Sequence, residues 1–327
     1  MKVLVTGSAG HLGEALVRSL RAANHVAVGL DRLATPFTDA VGSISDRRLV
    51  REAVTGCEAV LHAAGLHKPH VATHSPQDFV DTNITGTLTL LEEAAAAGVK
   101  AFVFTSTTSV FGRALTPADD QPAAWVTEDV APVPRNIYGV TKAAAEDLCQ
   151  LFQHRHGLAC LVLRTSRFFP EDDDSGAVRA RYDADNAKVN EYLYRRVDLE
   201  DVVSAHLLAI GRAHAIGFAR LIISATTPFA PADLAALRHD APAVVRRLVP
   251  GYAELYASRG WEMFPAIDRV YVNARARDLL GWQPRYDFRA IIEALAAGGA
   301  PASALARRVG AKGYHAQRFA DGPYPVD

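Results

Sequence analysis

The sequence predicts an α/β protein: a doubly wound parallel sheet followed by a smaller C-terminal α/β domain. Three observations carry that expectation. Short β-branched runs alternate with helical patterns through the first half of the chain, which is the rhythm of βαβ crossovers. The strand runs are apolar almost throughout, as they must be when helices cover both faces of a sheet. The first strand also leads straight into glycines at 7, 10 and 13 and then into a helix, the turn at which such a sheet presents a helix N-terminus to a ligand.

Taken in order, Lys2–Val5 is the first strand. Leu12–Ala23 is a helix, with Leu12, Leu16 and Leu20 on one face. Val26–Leu30 is the second strand, Arg48–Val54 a short helix and Ala59–His62 the third strand. Gln77–Ala97 reads as one long helix, Ala101–Thr105 as the fourth strand, Tyr138–His156 as a helix and Ala159–Leu163 as the fifth strand. Beyond about Ser166 the pattern changes. Glu171–Asp174 is an acidic run, and the polar, Tyr-rich stretch to Arg196 reads either as a solvated loop or as a lid. Val202–Ile210 is helical, and Leu221–Ser224 is a strand expected to return to the first sheet. From Pro228 onward helical pieces are broken by Pro and Gly, and the tail Ala300–Asp327 reads as an extended strap. The expected division is 1–165 with about 197–225 in one domain, and 166–196 with 226–327 in the other.

Composition narrows the function. Lys and Arg total 35 against 36 for Asp and Glu, a balance that offers no electrostatic case for nucleic acid or an anionic membrane. No apolar run approaches the length of a membrane span, and MKVLVTG is too short of apolar residues for a signal peptide. Cys57, Cys149 and Cys160 form no CxxC pair, which predicts buried thiols in a reducing cytoplasm. His62, His67, His70 and His74 crowd one stretch but lack Cys or acidic partners at metal-ligand spacing, so no metal is expected.

The glycine spacing is GxxGxxG, and its place between strand and helix fits a pyrophosphate cradle in a Rossmann-type sheet. Asp31 ends the second strand, where an acid accepts hydrogen bonds from ribose hydroxyls and repels a 2′-phosphate. That favours NAD over NADP, with the neighbouring Arg32 as the opposing feature. Tyr138 and Lys142 are four apart on one helix and therefore share a face. An ammonium beside a phenol lowers the phenol pKa, so that Tyr138 can move a proton to or from a hydroxyl while a nicotinamide exchanges hydride. Thr105–Ser109 places hydroxyls at the C-terminal end of the fourth strand, on the ligand side of such a sheet.

These pieces together resemble the extended short-chain dehydrogenases/reductases of the NAD-dependent epimerase/dehydratase family. The matching segments are VTGSAGHLG at 5–13, Asp31, HAA at 62–64, Asn83 in NITGT, FTSTTSVFG at 104–112, YGVTK at 138–142, VDLEDVVSAH at 197–206 and NARARDLLGWQPRYDF at 273–288. The resemblance implies Tyr138 as acid/base, Lys142 as its pKa modulator and ribose ligand, and Thr107 as the hydroxyl on the reacting oxygen, with Thr108 beside it. It implies Gly7, Gly10, His11, Leu12 and Gly13 along the pyrophosphate and Asp31 on the ribose. Ala63 and Ala64 would lie against the cofactor, with Asn83 supporting that wall.

The chain also departs from the family pattern. Ser43 and Ile44 follow Gly42 where the family has an acid against the adenine; Asp46 lies three residues on. Arg167 stands where the family has Asn. The 171–197 stretch is short for wrapping a nucleotide diphosphate, and Arg167, Arg179, Arg181, Arg195 and Arg196 fall between positions 167 and 196. They read either as a clamp for one anionic group or as partners of the acidic run. Weak binding of UDP and dTDP follows from the clamp reading.

The expected activity is NAD-dependent hydride transfer at a secondary carbinol of a sugar-like small molecule, of the epimerase type, in a homodimer. A net dehydrogenase on a small acidic sugar is the alternative, and a non-catalytic NAD(P) sensor is the alternative from another class. Dehydratase chemistry is disfavoured, because those relatives carry an Asp-Glu pair where this chain has Thr108 and Ser109.

Overall fold

The computed structural model describes residues 1–313; positions 314–327, most of the expected strap, lie outside the described residues. The chain runs β1 (Lys2–Thr6), α1 (His11–Ala22), β2 (Val26–Asp31), β3 (Ala40–Val41), α2 (Arg47–Val54) and β4 (Ala59–His62). It continues through α3 (Pro76–Phe79), a π-helical turn (Val80–Thr85), α4 (Gly86–Ala96), β5 (Ala101–Thr107), β6 (Ala124–Val126), α5 (Ile137–His156) and β7 (Ala159–Thr165). Then come α6 (Gly176–Arg181), α7 (Ala184–Glu191), α8 (Leu199–Ile216), β8 (Phe218–Ile223) and, after several short helices, β9 (Arg269–Tyr271).

Seven strands form one parallel sheet in the order β3-β2-β1-β4-β5-β7-β8. The strand at Phe218–Ile223 does return to it, pairing with β7 from Cys160↔Phe218 to Thr165↔Ile223. Alternation along each strand builds two cores. Val3, Val5, Leu61, Val103 and Leu161 face α1 and α8, while Leu4, Val60, Phe102, Phe104 and Val162 face α2, α4 and α5. A third apolar cluster, with Tyr182, Val189, Leu193, Tyr256, Phe264 and Phe288, gathers residues from beyond β7. The sheet order reverses between β1 and β4, so a crevice opens at their C-terminal ends.

Two elements differ from the sequence reading. The single helix expected over Gln77–Ala97 is α3, a π-helical turn and α4. Inside the widened turn, the buried Asn83 uses its side-chain amide on both backbone groups of Leu66, at 2.9 Å each, and on Thr141 Oγ1 at 3.1 Å. Thr87 Oγ1 takes up the Asn83 carbonyl at 2.6 Å. The turn thus ties the segment after β4 to α5, a demand that helical periodicity does not register. The acidic run is not a solvated loop: it leads into α6 and α7, whose N-caps are Ser175 and Asp183, and its carboxylates are paired with cations. The small parallel pair β6–β9 was not foreseen.

Beneath the crevice Arg164 of β7 is almost wholly buried against Glu146 of α5, with Nη2 to Oε2 at 2.7 Å and Nε to Oε1 at 3.1 Å. The same carboxylate accepts Ser106 Oγ at 2.6 Å and Arg220 Nε at 3.0 Å. Removing one partner strands the other charge in the core. Arg164→Ala is therefore expected to cost about 3–5 kcal/mol, read as a lowered urea midpoint.

Candidate active site

The first cleft, about 270 Å³, lies over the C-terminal ends of β1, β2 and β4. Its floor is the glycine turn. Gly7 has φ +73°, and a Cβ there would sit 2.7 Å from Ala64 N. A Cβ on Gly13 would lie 1.9 Å from the Gly7 carbonyl oxygen. Side chains are thus excluded where the first turn of α1 closes on the loop. Gly10 caps α1 with no side chain, which leaves the positive end of the helix facing the cleft. His11, Leu12, Arg32, Ser43, Ile44, Ala63 and Ala64 line the remainder. This bare cradle, with a helix N-terminus above it and a carboxylate at the end of β2, fits a dinucleotide.

Asp31 accepts the Ala9 amide at 3.0 Å and the Leu33 amide at 3.0 Å. It therefore locks the glycine turn to β2 and still has acceptor capacity on both oxygens for a ribose. Asp46 caps α2 through the amides of Arg48 and Leu49, so Ser43 stands alone at the position where the family has an acid. Asn83 lies behind the wall rather than on it.

His11 contacts both the cradle and the segment after β7. Its Nε2 lies 2.7 Å from Glu171 Oε1, and its ring meets Phe169 edge-on. Burial alone would raise the Glu171 pKa; the contact with His11 overcomes it and holds the carboxyl at about 2. The Lys312 amide donates to the same Glu171 oxygen at 3.0 Å, and its ammonium reaches Glu14 of α1.

His62, at the end of β4, lies outside the cofactor cleft that the next two residues line. It is buried between Thr6 Oγ1, 2.8 Å from Nδ1, and Thr87 Oγ1, 3.0 Å from Nε2, and burial drives its pKa well down. His67, His70 and His74 stack edge to face, with centroids 4.6 and 5.1 Å apart.

Asn136 caps α5 by accepting the Gly139 amide at 3.2 Å, which places Tyr138 in the first turn and Lys142 one turn later. Tyr138 lines the first cleft and also a second, of about 290 Å³. Thr107 stands close enough to the Tyr138 hydroxyl to oppose the effect of burial on it, and Thr107 Oγ1 accepts the Ser109 amide at 3.1 Å. Lys142 Nζ donates to the Thr105 carbonyl at 2.6 Å and lies 3.9 Å from the centre of the Phe104 ring. The expected lowering of the phenol by the lysine is absent here. Burial pushes Tyr138 up to about 12, with Thr107 opposing it. Burial also brings Lys142 down to about 7 against the pull of Glu146.

Thr108, Arg167 and Arg195 line the second cleft with Tyr138 and Thr107. Arg167 reaches Asp173 at 2.7 Å and Glu191 at 3.2 Å, and Arg195 reaches Glu191 at 2.8 Å. The other three arginines assigned to the substrate stand elsewhere. Arg179 donates to the carbonyls of Asp173 and Asp174, Arg181 pairs with Glu262 on the surface, and Arg196 joins Glu191 at 2.9 Å and borders a separate cavity. Short-range crowding in sequence did not separate cleft arginines from those that anchor the acidic run. Arg269 of β9, Arg135, Phe168 and Phe169 also line the second cleft. Sequence reasoning passed over them, and for Arg269 only the β6–β9 pairing, invisible in local pattern, brings it there.

The profile of the NAD dependent epimerase/dehydratase family matches residues 3–217. The chain is 27% identical over 334 residues to a UDP-glucose 4-epimerase of Rhizobium meliloti, an alignment spanning 89% of this chain and 94% of that protein. It is 31% identical to a UDP-glucose 4-epimerase of Erwinia amylovora over 45% of this chain and 47% of that one. In fold it is similar to a short-chain dehydrogenase/reductase superfamily protein from Agrobacterium tumefaciens with bound NAD. That similarity has a TM-score of 0.65 at 24% identity and covers 94% of this chain and 97% of that one.

The lysine carries a measurable stability signature. Its ordinary value is 10.5 and its value in the fold is about 7, so between those limits the unfolded chain binds the extra proton and stability rises with pH. Urea midpoints are expected to climb from pH 7 toward pH 9. Lys142→Met should flatten that climb and be the more stable protein at pH 7, by an amount of the order of a few kcal/mol.

Proposed function

The chain belongs to the NAD dependent epimerase/dehydratase family, and on that premise we propose that it inverts one secondary carbinol of a sugar by reversible oxidation, with Tyr138 as the proton carrier. The observation that carries this is the position of Tyr138: it lines both clefts and shares the second with Thr107. A bound NAD, held by the cradle of Gly7, Gly10 and Gly13 and by Asp31, would supply the hydride acceptor and donor for the carbinol carbon. In this reading residues 1–165 with 197–225 hold the cofactor and the segments outside them hold the substrate, although Ala276, Leu280, Trp282 and Val309 pack with α1 and α8 into the cofactor half.

Thr107 holds the reacting oxygen while Tyr138 accepts its proton and later gives it back. A phenol held at about 12 is protonated at neutral pH, which suits the return step. Proton removal needs the phenolate, the role the family resemblance gives to the charge of Lys142; in this fold burial of both groups opposes it. Glu146 in turn favours the charged lysine. Gly7, Gly10 and Gly13 admit the pyrophosphate, Asp31 takes the ribose, and Ala63 and Ala64 form the wall behind. The contacts of Glu171 with His11 and Lys312 close the chain over α1, which suits a cycle that never releases its cofactor. Arg167 and Arg195 in the second cleft favour one alternative: a net dehydrogenase on a free sugar acid.

Tyr138→Phe keeps the ring and deletes the proton carrier. It is expected to lower kcat by about 10²–10⁴ while NAD content measured on the purified protein is unchanged. Retained activity would remove Tyr138 from the mechanism. NAD that stays bound through turnover supports the epimerase, whereas stoichiometric release of NADH supports the dehydrogenase.

A homodimer belongs to the same proposal. Val140 and Leu151 of α5 are large, exposed apolar residues three turns apart on one face, a self-complementary stripe suited to a two-fold axis. Light scattering at micromolar concentration should return twice the chain mass, and Leu151→Glu should halve it. The three thiols, free and buried, suit the cytoplasm. No helix among the described residues is long and apolar enough to cross a membrane.

A further inference from the structure

Phe168 and Phe169 line both clefts, as do His67, Tyr138 and Thr165. Phe169 meets the His11 ring edge-on and stacks on His67 at 5.5 Å. The acidic run begins two residues later and is tied down at three points. In its middle, Asp173 pairs with Arg167 at 2.7 Å and Arg195 at 3.2 Å and accepts the Ser175 amide at 2.8 Å. Arg179 Nη1 donates to the Asp173 and Asp174 carbonyls beside it. At one end, Glu171 Oε1 lies 2.7 Å from His11 Nε2 and accepts the amides of Lys312 at 3.0 Å and Gly313 at 3.2 Å. At the other end, Asp174 pairs with Lys68 of the 3₁₀ turn Lys68–His70, and both residues line the second cleft.

From this we infer that the run is a clasp whose two ends act separately: Glu171 locks the cofactor in through His11, Lys312 and Gly313, and Lys68–Asp174 is the gate through which substrate enters and leaves in each turnover. The inference rests on the reading of the first cleft as the cofactor site and the second as the substrate site. The two ends differ in their access to water. His11 and Glu171 are only 6% and 9% exposed, so parting them strands a carboxylate away from solvent. Lys68 is 43% exposed, and its ammonium exchanges the carboxylate for water at little cost. When Lys68 leaves, Asp174 still has Arg167 at 3.6 Å, so the gate opens by movement of the turn and not of the run. Asp173, held by two arginines between the ends, keeps release of Lys68 from pulling on Glu171. A cofactor kept through the cycle and a substrate exchanged in every cycle need this difference.

The test uses the purified, NAD-loaded protein and two rates that need no turnover. The first is the loss of bound NAD during dialysis. The second is the reduction of bound NAD to NADH by sodium borohydride, whose hydride reaches the nicotinamide through the second cleft while the cofactor end is shut. Glu171→Ala should speed NAD loss about tenfold or more, and leave borohydride reduction of the NAD that remains at the wild-type rate. Lys312→Ala, which removes the ammonium link to Glu14, should speed NAD loss as well, and it serves where Glu171→Ala fails to give a cooperative melt. Lys68→Met should speed borohydride reduction about threefold or more with NAD loss unchanged. Lys68→Arg, which can remake the pair, should restore the slow reduction. Wild-type NAD loss in the Glu171 and Lys312 variants overturns the inference, as does wild-type reduction in Lys68→Met. A variant that shifts both rates together also overturns it, because the ends would then not be separate. A protein that retains no NAD brings down the cofactor reading together with the clasp. One that shows both separate effects and converts no sugar keeps the clasp and loses the proposed reaction.

Discussion

One buried carboxylate organises the catalytic half of this fold. Glu146 sits on α5 one turn beyond Lys142 and takes hydrogen bonds from β5 through Ser106, from β7 through Arg164 and from β8 through Arg220. Three adjacent strands thus fix the position of one helix, and that helix carries Tyr138 and Lys142. A carboxylate taken out of water at this depth persists only because its partners converge on it. The convergence also sets the helix against the end of β5, where Thr107 meets the phenol. It gives the buried lysine an opposite charge to work against. Structural and chemical requirements here meet in a single side chain.

The cofactor half rests on a different constraint, the closeness of backbone to backbone. A Cβ on Gly13 would come within 1.9 Å of the Gly7 carbonyl oxygen, and one on Gly7 within 2.9 Å of Ala63 and Ala64 backbone atoms. The turn is consequently a shape that only hydrogen at those positions allows. Asp31 bonds the amide of Ala9 as well as that of Leu33. The residue at the end of β2 therefore holds the loop in the form that receives the ligand, and the same atoms serve fold and recognition.

What the sequence makes legible follows from the range of the forces involved. The strand–helix alternation, the glycine turn, Asp31 and the Tyr138–Lys142 face are local, periodic features, and they appear in the structure where the pattern puts them. Leu221–Ser224 was expected to return to the first sheet, and the strand Phe218–Ile223 does so. What stayed hidden depends on contacts between distant segments. The π-helical turn exists to let Asn83 grip Leu66. Arg269 reaches the second cleft through a strand pair that no local period announces. The arginines between 167 and 196 look alike in sequence and separate only when each finds its acid, so that Arg167 and Arg195 border the cleft while Arg179 and Arg181 do not. The environment of Tyr138 is a burial effect, and burial at the bottom of a crevice is set by the whole fold.

The joining of His11, Glu171 and Lys312 has a consequence for the order in which this protein is made. The glycine cradle leaves the ribosome before the residues that complete it, which follow His11 by 160 and 301 positions. During synthesis, then, the first βαβ unit can form early through its own short-range contacts, while the roof over α1 waits for Lys312. A nascent chain halted before residue 312 would hold a cradle with one side open.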